Sequence, residues 1–254
     1  MKKTVTKLLL SLLCLSSIAD ADFIRAEIGT GVWGQTASGD AYYNGSFSGI
    51  QGSDTLQENA NISNYVWAFV KHPVPALPNL RLGYVNIHGD GKASGEWNGL
   101  GIPAGVSSTS SLDLIEYDLI PYYNILDNTF WITLDLGLDI KIIDLDYKIS
   151  PVVPFGGYKY KSTLQLPLGY LRARVQVPGT GFGVEADAKY IQYGSSVLYD
   201  ARAKVDYTFD VSPLIQPAVE IGYRAQRIKI DDSSSDIKTD INFAGLYVGV
   251  FLRF

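Results

Sequence analysis

The residues best suited to acid–base chemistry form two pairs. His88 and Asp90 lie at the end of one predicted strand, and Asp231 and Asp232 lie at the end of another. An imidazole beside carboxylates can take a proton from water or return one, as hydrolysis requires. If the two strand ends face each other across the mouth of a barrel, the four residues form an Asp–His site. Because no second motif accompanies them, an outer-rim hydrolase (a protease or a lipid-modifying enzyme) is only the alternative prediction.

No cofactor is predicted. The Gly-rich stretch 89–101 lacks the GxxxxGK[ST] spacing and the following helix of a phosphate-binding loop. The chain contains only one cysteine and two histidines, which does not favour a zinc cluster. The acids of DDSSSD, residues 231–236, could collect divalent cations that bridge lipopolysaccharide.

Most charged residues occur in segments that alternate with a period of two. Between 130 and 142 the even positions are all large and apolar, whereas Asp135, Asp139 and Lys141 are odd. Residues 201–211 repeat the pattern, with Arg202, Lys204 and Asp206 on the polar face. A period of two is typical of a strand with one apolar and one polar face. We expect the apolar faces to contact lipid and the polar faces to line a barrel lumen.

This assignment predicts a network of opposite charges in the lumen. Its members are Arg25, Glu27, Asp135, Asp139, Lys141, Arg172, Arg174, Glu185, Asp187, Lys189, Arg202, Lys204, Asp206, Glu220 and Arg224, with Arg81, Glu116, Asp118 and Asp200 on the same faces. Acids and bases are nearly balanced, and a barrel of about ten strands is narrow enough for side chains to fill. A filled lumen with a structural or interaction role is therefore predicted, with a narrow pore for small solutes left open.

The N-terminus predicts export. Lys2, Lys3 and Lys7 precede an apolar run, and Ala19-Asp20-Ala21 is a small-x-small cleavage site. We interpret residues 1–21 as a secretory signal peptide and residues 22–254 as an outer-membrane β-barrel. Cys14 is the chain's only cysteine and falls within the signal. The net charge of −5 argues against a nucleic-acid partner.

The fold class predicted is all-β: a closed antiparallel transmembrane barrel of about ten strands, with eight or twelve also possible. Short and long connections alternate, as in outer-membrane barrels. Long outer loops are expected at 34–61, 89–109 and 145–159. The alternation changes phase near Val85 and near Leu168, and a bulge is the expected cause at each place.

Aromatic girdles are expected at the strand ends; they comprise Trp67, Phe69, Tyr122, Tyr123, Phe130, Trp131, Tyr207 and Phe209 at one interface and Tyr190, Tyr193 and Tyr199 at the other.

The stretch GLYVGVFLRF, residues 245–254, alternates throughout and ends on an aromatic residue. It resembles the C-terminal signal that outer-membrane barrels present to the barrel assembly machinery, with Tyr247, Gly249, Leu252 and Phe254 in the recognised places. The last strand of a closed barrel must also pair with the first, because a free edge is unstable in lipid.

Three segments carry a more specific resemblance: HPVPALPNLRLGY at 72–84, YYNILDN at 122–128, and the terminal strand. Together they are similar to a family of small, mostly uncharacterised proteobacterial outer-membrane barrels named for a Gly-Gly motif, and Gly156-Gly157 is the candidate for that pair. The resemblance implies location in the outer membrane of a Gram-negative cell and a barrel fold, and it implies no reaction. Lipid and lipopolysaccharide are the expected partners, with the partner of the outer loops left open.

Overall fold

A computed structural model describes residues 24–44, 50–56, 60–74, 76–97, 108–129, 131–151, 158–231 and 237–254. The regular elements in these ranges are strands. They are β1 (Arg25–Asn44), β2 (Ile50–Leu56), β3 (Ala60–Lys71), β4 (Asn79–Trp97), β5 (Ser108–Thr129), β6 (Ile132–Pro151), β7 (Tyr158–Gln176), β8 (Phe182–Tyr193), β9 (Ser196–Thr208), β10 (Gln216–Asp231) and β11 (Ile237–Arg253). Among the described residues, no helix is long and apolar enough to cross a membrane.

The strands form one closed antiparallel barrel. From β3 to β11 each strand pairs with the next one in sequence, and β11 returns to pair with β1 from Glu27↔Arg253 to Tyr43↔Ile237. Both β2 and β3 pair with β1 on one side and with β4 on the other, so together they occupy one strand position. The predicted closed barrel of ten strands is confirmed.

Both ends of the barrel chain, Arg25 and Arg253, lie at the same end, which we call the short-turn end; the two-residue turn 194–195 lies at the opposite end. The connections there include 177–181 and 209–215. At the opposite, outer end, the strands are longer than expected. β4 continues to Trp97, and β6 has 20 residues, about twice the 9–11 that a tilted strand needs to cross a bilayer. Much of the three predicted long loops is therefore strand, and the prediction of loops over their full lengths is wrong.

An apolar band covers the outer surface next to the short-turn end. On β11 it includes Leu246, Val248, Val250, Leu252 and Phe254, all exposed. Aromatic side chains border the band on the lipid side; they include Tyr123, Trp131 and Phe209 at the short-turn end and Tyr84, Tyr117, Tyr190, Tyr199 and Tyr223 at the outer boundary. Three predicted girdle residues lie elsewhere: Trp67, Phe69 and Tyr122 are buried inside the barrel. Phe130 lies outside the described residues.

Beyond the outer boundary of this band the two faces of the barrel exchange polarity. On β6 the outward side chains are apolar up to Ile142 and then become Asp144, Asp146 and Lys148. The inward side chains change in the opposite sense, from Asp139 and Lys141 to Ile143, Leu145, Tyr147 and Ile149. The outer part of the barrel thus has the polar exterior and apolar interior of a water-soluble barrel.

This exchange, and not a bulge, explains the two changes of phase in the sequence. The pairing of β4 with β5 is continuous from Asn79 to Ala93, and that of β6 with β7 is continuous from Ile132 to Ile149. Register shifts occur instead between β5 and β6, at Asn124/Leu126 and Leu126/Thr129, next to the short turn. The predicted bulges near Val85 and Leu168 are therefore wrong, because each strand keeps its facing while its composition changes.

Candidate functional site

The lumen of the membrane-spanning part contains a dense group of ion pairs centred on Lys141, whose side chain is completely buried. Its Nζ lies 3.0 Å from Glu116 Oε2, 2.7 Å from Asp118 Oδ1 and 3.5 Å from Asp200 Oδ2. Two further cations bind the same carboxylates: Lys189 is 2.5 Å from Asp118, and Arg224 is 2.8 Å from Asp200. Strands β5, β6, β8, β9 and β10 are thereby linked across the lumen. Each carboxylate contacts more than one cation, so no single pair carries the arrangement.

A second group nearer the short-turn end is centred on Glu185. This carboxylate lies 2.8 Å from Arg172, 3.3 Å from Arg174 and 3.5 Å from Arg81. The surrounding cations bind further acids: Arg172 contacts Asp135 at 2.5 Å, Arg174 contacts Asp206 at 2.6 Å, and Lys204 contacts Glu220 at 2.7 Å. We call the two groups together the charge network. It joins strands on opposite sides of the barrel and fills the space between them.

The remaining predicted lumen residues lie beside the network. Arg202 donates hydrogen bonds to both oxygens of Asp187, at 3.0 and 2.8 Å from Nη2. At the short-turn end, Glu27 is 2.5 Å from Arg25 and 2.6 Å from Arg253, which joins β1 to β11. Asp139 is fully buried, and neither of its carboxylate oxygens has a hydrogen-bond partner among the described residues.

An aromatic wall formed by Tyr65, Trp67, Phe69, Tyr247 and Phe251 faces the charge network from β3 and β11. Lys204 Nζ lies 4.9 Å from the Trp67 ring and 5.0 Å from the Phe251 ring, and Arg81 stacks over Trp67 at 5.2 Å. The ring faces therefore contribute to balancing the buried cations. Sequence reasoning missed this wall because it assigned Trp67 and Phe69 to a girdle, although both fall on the same face as Tyr65.

An apolar plug closes the lumen above the network. Its members are Trp33, Ala37, Val85, Ile87, Leu112, Leu114, Ile143, Leu168, Leu198, Ile228, Ile241 and Phe243, with partly buried side chains such as Leu164 and Leu166 packed against them. Sequence reasoning missed the plug too, and the signal for it was present. The phase changes near Val85 and Leu168 are the points where the inward face becomes apolar.

The structure gives a steric reason for the glycine at position 249. Tyr65 reaches across Gly249 and donates a hydrogen bond to Glu220 Oε1 at 2.7 Å. A Cβ at Gly249 would overlap the Tyr65 hydroxyl. Tyr247 packs edge-on against Tyr65 with ring centroids 5.6 Å apart. Phe254 completes the strand by donating its backbone N–H to Ala26 at 2.9 Å, while Leu252 faces outward.

His88 lies on the outer wall, beyond the apolar band, and not in the lumen. Its Nδ1 is 2.6 Å from Asp113 Oδ1 and its Nε2 is 3.2 Å from Asp90 Oδ1. The hydrogen bond with Asp113 raises the pKa of His88 above its usual 6.5, and Asp90 adds to the effect. Because carboxylates occupy both ring nitrogens, the arrangement favours an imidazolium rather than a free general base.

The structure describes only part of the predicted grouping of His88 with Asp231 and Asp232. Asp90 contacts His88, whereas Asp231 contacts the β8–β9 turn: its backbone N–H donates to Ser196 Oγ at 3.0 Å, and its carbonyl accepts from Ser195 Oγ. Asp231 and His88 belong to β10 and β4, which are not neighbours in the barrel. Asp232 lies outside the described residues.

Next to His88, the outer wall carries a cluster of lysines. Lys161 Nζ is 2.8 Å from Asp146, and Lys148 and Lys159 lie 3.6 and 3.7 Å from the same carboxylate. The hydrogen bond from Lys161 lowers the pKa of Asp146, and the same bond raises the pKa of Lys161. This cluster lies just beyond the outer boundary of the apolar band.

No family model matches the chain, and no curated protein matches it. Several solved structures match it. The outer membrane protease OmpT from Escherichia coli is 12% identical, with a TM-score of 0.57 over 94% of this chain and 99% of that one. The translocator domain of the autotransporter NalP from Neisseria meningitidis is 12% identical, with a TM-score of 0.44 over 100% and 96%. The toluene transporter TodX from P. putida is 8% identical, with a TM-score of 0.30 over 95% and 91%. The likeness to OmpT concerns the architecture alone, and the chain has the fold of an outer-membrane β-barrel.

Proposed function

We propose that this protein is an outer-membrane β-barrel with a sealed lumen and a structural or interaction role. The proposal rests on the observation that two groups of side chains close the lumen at different levels. The charge network fills its membrane-spanning part, and the apolar plug fills the part beyond. Permeation by a small solute would require breaking ion pairs in a low-dielectric space and opening a packed core, and both steps are costly.

The length of the strands supports the interaction role. The strands on the β4–β7 side continue well past the apolar band, and their outward side chains there are polar. A rigid barrel wall held above the bilayer offers a defined surface to a partner outside the cell. The family resemblance, the signal peptide at 1–21 and the terminal signal for the assembly machinery all accord with this location.

Lipopolysaccharide is the expected lipid partner of the outer wall. The lysines around Asp146 lie just beyond the Tyr84–Tyr117 ring pair, whose centroids are 5.5 Å apart. Amphipathic rings mark the headgroup level, and ammonium groups placed there can bind lipid phosphates. The acids that surround them can act through bridging divalent cations.

Planar-bilayer recording tests the sealed lumen. The refolded protein is first reconstituted in vesicles, and its insertion is verified by heat-modifiable mobility on a gel. The same preparation is then fused with a planar bilayer, where we expect no stepwise current over the baseline in potassium chloride. Reproducible single-channel steps of uniform size would overturn the proposal and favour passage of small solutes through a narrow pore.

The hydrolase remains the second candidate because a cleft lies beside Asp90, which contacts the imidazole of His88. This cleft of about 240 Å³ is lined by Asp90, Gly91, Thr109, Ser110, Ser111 and Ser150, and Asp90 binds His88. Peptide and lipid hydrolysis are to be compared between the wild type and the His88→Ala variant, with His72→Ala as the matched control. An activity that His88→Ala abolishes and His72→Ala retains would favour the enzyme. Equal rates in all three proteins would exclude His88 from catalysis.

A further inference from the structure

A small cavity lies within the lumen, between the aromatic wall and the charge network. Its volume is about 30 Å³, which suffices for one or two water-sized particles. Rings of the aromatic wall, among them Trp67 and Tyr247, form one side, and charged side chains form the other. The cavity therefore accepts a single small ion or water, and it is too small for a metabolite.

The charged lining of this cavity is mostly cationic. Arg81, Lys189, Arg202 and Arg224 border it, and the one acid among its lining residues is Asp118. That carboxylate is already bound by Lys141 at 2.7 Å and by Lys189 at 2.5 Å. The local charge facing the space is therefore positive, although acids and bases balance over the whole lumen.

Arg81 is the least compensated of these cations. The only described carboxylate within 4 Å of it is Glu185, at 3.5 Å, and Arg172 and Arg174 share that carboxylate at shorter distances. The guanidinium carbon of Arg81 also lies 5.2 Å from the centre of the Trp67 ring, so an aromatic face is its other close neighbour. A buried cation that shares its one carboxylate with other cations gains from a further anionic acceptor.

Arg202 is the second guanidinium group that borders the cavity. Asp187 binds Nε and Nη2 of Arg202, and the side chain retains 15% of its accessible surface despite its place inside the barrel. Two guanidinium groups from opposite sides, β4 and β9, thus present donors to one small space.

We propose that this cavity binds one small monovalent anion of the halide class, held by Arg81 and Arg202 with Lys189 and Arg224 beside it. A metal cation would meet four positive side chains and one carboxylate that is already paired, so it is disfavoured. A water molecule can accept the same hydrogen bonds, but it leaves the positive charge uncompensated. An anion accepts the hydrogen bonds and also compensates the positive charge. Hydrogen bonds that involve charged groups are stronger than those between neutral groups.

Anomalous diffraction with bromide is the direct test. Crystals of the refolded protein in detergent are grown in sodium bromide, and the anomalous difference map is calculated at the bromine edge. We expect a peak inside the cavity, in contact with Arg81 and Arg202. Density without anomalous signal there, when bromide occupies other sites of the same crystal, would identify water and overturn the proposal.

Thermal unfolding provides an independent measurement in solution. At equal ionic strength, sodium chloride and sodium bromide should raise the unfolding temperature above that in sodium gluconate, whose anion is too large for the cavity. In Arg81→Gln this halide effect should disappear, with the apparent halide affinity lowered by at least roughly tenfold. Arg227→Gln, on the outer wall, removes a cation of the same type that pairs with Asp240 and should retain the effect. Equal halide effects in the two variants would contradict the assignment, and should Arg81→Gln not fold, the bromide map of the wild type decides alone.

Discussion

Lys141 shows at the scale of one residue how the lumen is held together. It is fully buried, and its three carboxylate partners belong to two other strands, β5 and β9. In such a place a charge is stable only when its partners remain with it. The residue thereby couples three strands through one ammonium group.

Replacing Lys141 with Met should therefore destabilise the barrel by about 3–5 kcal/mol, because the partner carboxylates lose their shared cation while remaining buried. The measurement is urea unfolding in lipid vesicles, monitored by tryptophan fluorescence. Lys148→Met is the matched control on the same strand, since Lys148 is exposed and lies 3.6 Å from Asp146; its loss should cost about 0–1 kcal/mol. Similar losses in the two variants would contradict the central role of Lys141.

His88 should make stability depend on pH in one direction. Its pKa is raised above 6.5 in the folded state by the hydrogen bond with Asp113, so the protonated form favours folding. The contribution is complete below the unfolded value of 6.5 and disappears as pH rises through the higher folded pKa. The difference in unfolding free energy between wild type and His88→Gln should therefore shrink as pH rises from 6 to 9, at constant salt. An NMR titration midpoint for the His88 ring at or below 6.5 would contradict this.

At the scale of the element, the alternation of β6 indicated a strand and the even positions up to 142 indicated its lipid face. Together with the same alternation in the other segments, these features predicted a closed barrel of about ten strands, with eight or twelve left open, and the structure has ten. They were not sufficient beyond residue 142, because alternation separates two faces but does not say which of them faces inward. The inward face is charged within the bilayer and apolar above it. In a strand that keeps its register, the large apolar residues therefore move from the outward positions to the inward positions, which looks like a change of phase in the sequence. For the same reason the sequence prediction ended strands such as β6 too early in the chain, near residue 142 and not at Pro151.

Two isoleucines of β6 test this exchange of faces. Ile143→Ala should cost about 2–5 kcal/mol, since Ile143 is buried in the apolar plug and its loss leaves a cavity. Ile140→Ala should cost distinctly less, because Ile140 faces outward and lipid can fill the vacated space. Urea unfolding of both variants in the same vesicles makes the comparison. Equal costs would mean that the two residues have similar surroundings.

A pair of glycines tests how β11 closes against its neighbours. Gly249→Ala should destabilise the barrel by about 1–3 kcal/mol, because the added methyl group meets the Tyr65 hydroxyl and the hydrogen bond to Glu220 must shift. Gly34→Ala is the control on the paired strand β1, where the nearest atom to a new Cβ is the Leu246 carbonyl oxygen at 3.7 Å. The temperature at which the folded band on a gel is replaced by the unfolded band should fall for Gly249→Ala only. An unchanged temperature for that variant would show that Tyr65 does not require the glycine.

The whole molecule consists of two stacked barrels formed by the same strands. One has a lipid-facing exterior and a charged interior, and the other has a polar exterior and an apolar core. The position of the bilayer follows from this division. It was not predictable from any single segment, because it appears only when neighbouring strands are aligned by their register.

Single cysteines can locate the bilayer, since Cys14 is the chain's only cysteine and residues 22–254 contain none. In vesicles, a membrane-impermeant maleimide should label Asp146→Cys on the outer wall and leave Leu138→Cys in the apolar band unlabelled. Ile143→Cys, in the plug, should react only after unfolding. Labelling of Leu138→Cys at the rate of Asp146→Cys would place the membrane elsewhere.

The ion pair between Glu27 and Arg253 joins residues 226 positions apart, so it can form only when the last strand meets the first. Glu27 has Arg25 beside it on the same strand, but the backbone N–H and C=O groups along the free edge of β1 find their partners on β11 only at the final step of closure. Until then they must stay hydrated, which keeps the chain out of the hydrocarbon. Insertion and closure should accordingly be one concerted event, and inserted species that lack β11 should not accumulate.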